Sequence, residues 1–191
     1  KDITNQFGDK CPSIHLVFGD LSEEQLNSLY NDDKVKAKIM FTKGEGYGRP
    51  LAEFATTGKP IIVSKWSGHV DFLPEEHTIF LDGQLTDVHN SAADKFLLKE
   101  SKWFTVNYSD AANKIYKVFN EYDSYLKKSA GLRTNILNNF TMEKMTIELG
   151  KIMDKYVGTI AVQKPFQLPK LNKQTPTPEI SKLKLPKLNK L

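Results

Sequence analysis

The chain has 191 residues, of which 27 are basic and 23 acidic, so its net charge is +4. This length allows one domain with a sizeable core, and hydrophobic and charged fractions of 39% and 26% are ordinary for a soluble globular protein. The single cysteine excludes an internal disulfide, and no apolar run approaches the roughly 18 residues of a membrane span, so we expect a cytoplasmic protein.

The positive charge is confined to the end of the chain. Residues 164–191 carry seven lysines and one glutamate, a net charge of +6. The other 163 residues hold 20 basic and 22 acidic side chains, a net charge of −2. The globular part is therefore close to neutral, and its charge does not indicate that it binds nucleic acid.

The first half of the chain alternates predicted strands and helices. Apolar runs that end at turn residues predict strands, and helices lie between them where Ser22 is a suitable N-cap and Gly58 a suitable C-terminal stop. The predicted strands are 14–18, 35–41, 60–64 and 78–81, and the predicted helices are 22–31 and 50–57. The run at 60–64 is apolar without alternation, as in parallel sheets covered on both faces. This order predicts an α/β layered sheet.

The second half is predicted to be irregular or mixed over 82–108, where residues 104–107 are either a strand or an extended crossing segment, and mainly helical from Ser109. Thr141 caps a last helix whose apolar residues fall on one stripe, which we expect to pack in the core. The stripe consists of Met142, Met145, Leu149, Ile152 and Tyr156. After residue 157 the composition changes, so we predict a domain over 1–157 and an extended tail over 158–191.

The tail contains the hexapeptide L-P-K-L-N-K twice, at 168–173 and at 185–190. Five of the nine prolines of the chain lie in 164–191, and such a sequence cannot bury a core of its own. One interpretation is a lysine-rich disordered extension. The other is a bivalent docking peptide for a protein partner, in which leucines fill pockets and lysines contact an acidic surface.

The segment from Lys43 to Glu53 contains the sequence pattern that indicates a ligand site. It reads K-G-E-G-Y-G-R-P-L-A-E and lies between a predicted strand and a predicted helix. In open α/β sheets ligands bind beyond the carboxyl ends of the strands, where glycines let the backbone approach and the N-terminus of the next helix favours phosphate. The glycines alone leave two alternatives open, a nucleotide site and a simple turn.

A family resemblance adds to this pattern. Glu45, seven intervening residues and Glu53 are similar to the E-x7-E signature of family 4 glycosyltransferases, and the flanks resemble its E-G-F-G-x-P and E-A-M-A-x-G-x-P-V-I segments. Upstream, residues 19–26 resemble the family turn G-x-L-S-x-E-E-L, and residues 140–143 resemble its closing F-S-W-E. The likeness runs in order from about residue 13 to 157.

The resemblance implies the Rossmann-like, C-terminal donor-binding half of a retaining GT-B enzyme, with a nucleotide diphosphate sugar as co-substrate. Glu53 would accept hydrogen bonds from the ribose hydroxyls, and a carboxylate suits this because it only accepts. Glu45 would contact hydroxyls of the transferred sugar as the catalytic residue. The backbone of Gly46, Tyr47 and Gly48 would lie near the diphosphate. No metal or other cofactor is expected, since the four histidines are scattered.

Other positions around this segment are less certain matches. Arg49 stands where the family has an apolar residue, and either reaches a phosphate or faces water. Gly68 and His69 follow the strand at 60–64 and would border the sugar or the base, although a structural histidine is the equal alternative for His69. Lys43 and Lys65 are weaker phosphate candidates. The family's diphosphate lysine has no match here.

Two functions follow from these features. The first is retaining transfer of a sugar to an unknown acceptor, which would need an N-terminal domain because the resemblance implies a reaction in the cleft between two halves. Since the chain begins with Lys1 and not with methionine, we expect further residues upstream. The alternative is a glycosyltransferase-like structural module, anchored by its repeated tail in a large assembly such as a virus particle. Nucleic acid binding by the tail is less favoured because Phe166 is its only aromatic residue.

Deleting residues 164–191 tests the docking interpretation of the tail. If the two hexapeptides dock, the deletion should abolish association with the native assembly, whereas loss of one copy should weaken it through lost avidity. Co-sedimentation with that assembly measures the effect. Unchanged association of the deletion variant would contradict the docking hypothesis.

Overall fold

The computed structural model describes residues 2–8 and 11–157. The chain divides into two units, residues 1–149 and 150–191. The helices are α1 (Asp2–Phe7), α2 (Glu23–Asn31), α3 (Arg49–Ala55), α4 (Tyr108–Asn120), α5 (Tyr122–Asn139) and α6 (Met142–Tyr156). The strands are β1 (Lys38–Met40), β2 (Ile61–Ser64), β3 (Ile79–Leu81), β4 (Gly83–Asp87) and β5 (Lys102–Val106).

The centre of the first unit is a parallel sheet in the order β1-β2-β3. Its register places Ile61 of β2 opposite Lys38 of β1, and Ile62 opposite Ile79 of β3. All four residues of β2 are buried, as the unbroken apolar run predicted. The α/β fold with a parallel sheet flanked by helices is therefore confirmed.

Alternate side chains of β2 enter two separate cores. Ile61 and Val63 pack with α3 and α5 on one face of the sheet, in a cluster that includes Phe54 and Leu132. Ile62 packs on the opposite face with β3, β5 and α4. Because successive strand residues point to opposite faces, one short strand anchors both layers.

The helix α2 is fixed at both ends. Ser22 and Gln25 form a reciprocal capping box at its start. Near its end the ring of Tyr30 packs edge-on against Phe54, with 5.3 Å between ring centroids, and Lys59 Nζ donates to the carbonyl of Tyr30 at 2.9 Å. These contacts place α2 beside α3.

One predicted strand of the first half is wrong. Residues 14–18 form no strand, and Leu16 and Phe18 are 90% and 95% exposed. An apolar run shows that a segment would favour burial, but a strand also needs a neighbouring strand, and periodicity does not supply one. The polar segment before it contains the helix α1.

The region 82–108 is more regular than predicted. It contains β4 and β5, which pair in an antiparallel manner from Gly83 opposite Val106 to Asp87 opposite Lys102. The polar, largely exposed sequence of β4 gave no strand pattern, because its pairing with β5 is a long-range contact. Phe104 of β5 stacks on Trp66, with 6.0 Å between ring centroids, so this pair of strands packs against the segment after β2.

The expected core packing of α6 is also wrong. No described residue of this helix is buried, and Met142 and Leu149 are 78% and 58% exposed. A stripe at helical spacing identifies an apolar face but not the element that covers it. The tail at 158–191 and its hexapeptides lie outside the described residues. None of the helices that the structure describes is long and apolar enough for a membrane crossing.

Leu132 tests the core that joins α3 to α5. It is fully buried, so Leu132→Ala should lower the free energy of unfolding by about 2–5 kcal/mol through lost transfer energy and a residual cavity. Leu137→Ala, at a position on the same helix that is 47% exposed, should change it by less than about 1 kcal/mol. Urea unfolding of both variants measures the difference, and equal losses would contradict the packing.

Candidate functional site

Two loops meet at the carboxyl edge of the parallel sheet. The β1 loop, residues 41–48, connects β1 to α3, and the β2 loop, residues 65–71, follows β2. Neighbouring parallel strands end at the same edge, so the loops that follow them lie side by side. This juxtaposition brings Glu45 of the β1 loop next to the segment with Gly68 and His69.

Three hydrogen bonds join these loops, and we call them the loop link. The amide of Glu45 donates to Ser67 Oγ at 3.0 Å, and Ser67 Oγ donates to the carbonyl of Glu45 at 2.6 Å. The amide of Gly68 donates to the same carbonyl at 3.0 Å. Both backbone polar groups of Glu45 are thus occupied, while its side chain stays partly exposed.

The approach of the loops requires glycine at position 68. A Cβ added to Gly68 would overlap the carbonyl oxygen of Gly46. Gly48 has a different constraint, since its φ of 89° is left-handed and its Cβ would lie 3.1 Å from that of His69. Gly68 therefore allows the two loops to touch, and Gly48 allows α3 to begin. Neither role by itself identifies a ligand.

His69 lies beneath the β1 loop. It is fully buried, and its Nε2 lies 2.7 Å from the carbonyl oxygen of Ser64, at the end of β2. Since a carbonyl only accepts, Nε2 is the donor in this hydrogen bond. Nδ1 has no hydrogen bond within the described residues. This geometry favours the structural alternative for His69, and its contact with a ligand stays a prediction.

Tyr47 lies on the outer side of the same loop. Its ring packs on Phe72 with 4.7 Å between centroids, and 46% of the residue remains exposed. Phe72 in turn contacts Phe140 at 5.9 Å. These ring contacts connect the β1 loop to Phe140 through the buried ring of Phe72.

Arg49 and Glu53 form an ion pair on the exposed side of α3. Arg49 Nε lies 2.5 Å from Glu53 Oε1, and the side chains are 76% and 33% exposed. The hydrogen bond and the charge of Glu53 raise the pKa of the Arg49 guanidinium. Arg49 thus contacts a carboxylate in this structure while most of its side chain faces water, and its contact with a phosphate stays a prediction.

Glu53 also lines a cavity of about 290 Å³ between α2 and α3. Its other lining residues include Leu26, Asn27 and Tyr30 of α2. The cavity combines apolar walls with an amide and three charged groups, Glu23, Arg49 and Glu53. The sequence predicted both helices but not this cavity, because it depends on the packing of Tyr30 against Phe54.

The two candidate lysines have other partners. Lys43 Nζ donates to Thr105 Oγ1 at 3.0 Å and lies 4.9 Å from the centre of the Trp103 ring. Lys65 Nζ pairs with Glu75 at 2.7 Å. Within residues 2–8 and 11–157, no group of three or more His, Cys, Asp or Glu residues could hold a metal ion.

No model of a known protein family matches the chain, and no curated protein matches its sequence. The fold is similar to that of sucrose-phosphate synthase from Thermosynechococcus elongatus, with a TM-score of 0.53 and 15% sequence identity. The likeness covers 74% of this chain but 30% of that protein, so the chain spans less than a third of its length. At this identity the similarity shows the fold alone, which resembles half of a GT-B glycosyltransferase.

Proposed function

We propose that residues 1–157 are the donor-binding half of a retaining, family 4-like glycosyltransferase that takes a nucleotide diphosphate sugar. The observation that carries this proposal is the position of Glu53. Its carboxylate is partly exposed, lines a cavity, and follows a loop in which Glu45 is fixed by the loop link. One carboxylate on the β1 loop and a second on the helix that follows it suit a ligand with two sets of hydroxyls.

In this proposal the cavity beside Glu53 would hold the nucleoside. A ribose has two adjacent hydroxyls, and a carboxylate can accept a hydrogen bond from both. The walls formed by Leu26 and Tyr30 offer the apolar surface that a base requires, and Asn27 offers both donors and an acceptor for base edges. The carboxylate would exchange part of its bond with Arg49 for the bonds to the ribose.

The sugar would lie toward Glu45. In the proposed arrangement its side chain accepts hydrogen bonds from sugar hydroxyls, while the backbone of Gly46 and Gly48 lies near the diphosphate. Arg49 is the one basic residue of α3, and the diphosphate would compete with Glu53 for its guanidinium. The reaction itself would require a second domain to bind the acceptor, as GT-B enzymes react in the cleft between two halves.

The first test concerns Glu53. Replacing it by alanine removes a charged acceptor, so affinity for a nucleotide sugar should fall about 10- to 100-fold. Calorimetric titration with UDP-glucose, ADP-glucose and GDP-mannose measures this. Glu76→Ala, at an exposed carboxylate in the segment after the β2 loop, is the matched control and should bind as the wild type does. Binding of all three by Glu53→Ala at wild-type affinity would contradict the assignment.

The second test concerns Arg49. Because its ion pair with Glu53 is exposed and four residues apart in a helix, Arg49→Met should change the free energy of unfolding by less than about 1 kcal/mol. If Arg49 turns to the diphosphate, the variant should bind a nucleoside diphosphate about tenfold more weakly, with a smaller dependence on salt. Lys99→Met, at an exposed lysine, controls for net charge. An unchanged salt dependence would exclude the phosphate contact.

A further inference from the structure

Ser67 has an unusual backbone conformation. With φ at 82° and ψ at −169°, it is the one non-glycine residue with positive φ in the part of the chain that the structure describes. This region of backbone space is essentially restricted to glycine, because a Cβ is crowded there. A strained residue persists only where its surroundings hold it in place.

Two hydrogen bonds of the Ser67 hydroxyl hold the residue in this conformation. Oγ accepts from the amide of Glu45 at 3.0 Å and donates to its carbonyl at 2.6 Å. One side-chain atom therefore satisfies both backbone groups of a residue 22 positions away, across two neighbouring strands. Glycine would relieve the strain at this position but would remove the atom that makes both bonds.

This contact restrains the backbone of the β1 loop at Glu45. Three of its residues, Gly44, Gly46 and Gly48, are glycines and lack the side-chain bulk that restricts a backbone. A Cβ at Gly46 would meet nothing within 4 Å, and the contact of this residue with the β2 loop is the approach of its carbonyl oxygen to Gly68. Glu45, between two glycines, is thus held mainly through Ser67 and Gly68.

We propose that Ser67 is a positioning residue, which accepts a strained backbone in order to fix Glu45 for the sugar of the donor. This inference deepens the proposed function and rests on it, because Glu45 is the group that would contact the sugar. Ser67 itself does not touch the sugar in this arrangement. Its effect on binding acts through the orientation of the Glu45 carboxylate.

Two variants separate the hydroxyl from the strain. Ser67→Gly removes the hydroxyl and relieves the strain, whereas Ser67→Ala removes the hydroxyl and keeps the strain. Both should raise the exchange rate of the Glu45 amide about tenfold, while core amides such as that of Val63 stay protected. Ser67→Gly should melt at a higher temperature than Ser67→Ala.

Ligand binding then distinguishes positioning from structural support. Calorimetry with UDP-glucose and UDP, ADP-glucose and ADP, and GDP-mannose and GDP gives the affinity that each sugar adds to its diphosphate. In Ser67→Gly this added affinity should fall about tenfold, more than the affinity for the diphosphate alone. In a Glu45→Ala background the same substitution should have no further effect on it, since it acts through Glu45.

The results of these measurements separate the positioning role of Ser67 from the proposed function. A Ser67→Gly variant that keeps the added affinity of the sugar, or loses it equally with and without Glu45, overturns the positioning role while leaving the proposed function standing. An unchanged exchange rate at Glu45 in both variants also overturns it. If the wild type binds none of the three pairs, the proposed function itself fails, and the positioning role fails with it.

Discussion

The hydrogen bonds between Ser67 and Glu45 connect the ends of two parallel strands. They join the loops that follow these strands, so the position of the candidate site depends on which strands are neighbours in the sheet. β1 and β2 are adjacent and parallel, so their loops emerge side by side, and Gly68 lets the loops touch because it lacks a Cβ. The loop link adds to the other contacts of the β1 loop, which include the hydrogen bond from the Phe104 amide to the Lys43 carbonyl and the packing of Tyr47 on Phe72. It is the contact that restrains the backbone of Glu45 itself.

The strand β2 supports this arrangement from below. Its side chains alternate between a core shared with α3 and α5 and another shared with β3, β5 and α4. His69, buried beneath the loop, ties the end of the strand to the start of α3 through Ser64 and its close approach to Gly48. The site is therefore built on a rigid layer, and its exposed groups stand on loops. Such a division suits binding, since a fixed scaffold reduces the ordering that a ligand must impose.

The basic side chains around the site set it apart from the pattern that the family resemblance implies. Arg49 pairs with Glu53, Lys43 with Thr105 and Lys65 with Glu75. A diphosphate would have to draw Arg49 away from a carboxylate that is itself proposed to bind ribose. Under the proposed function this competition would couple the ribose and the diphosphate, because a ribose bound to Glu53 would weaken the ion pair between Glu53 and Arg49. The fold similarity to sucrose-phosphate synthase supports the architecture and leaves this chemistry to experiment.

The sequence by itself determined the α/β alternation, the buried strand at 60–64 and the segment from Glu45 to Glu53, because burial on both faces and turn glycines leave local patterns. It did not determine which elements pair. Residues 14–18 looked like a strand and are exposed, whereas the polar β4 pairs with the distant β5, because pairing is a contact between remote segments. Only the tertiary structure revealed the cavity between α2 and α3 and the role of Ser67. Both depend on side chains that are more than twenty residues apart in sequence and come together when the helices and strands pack.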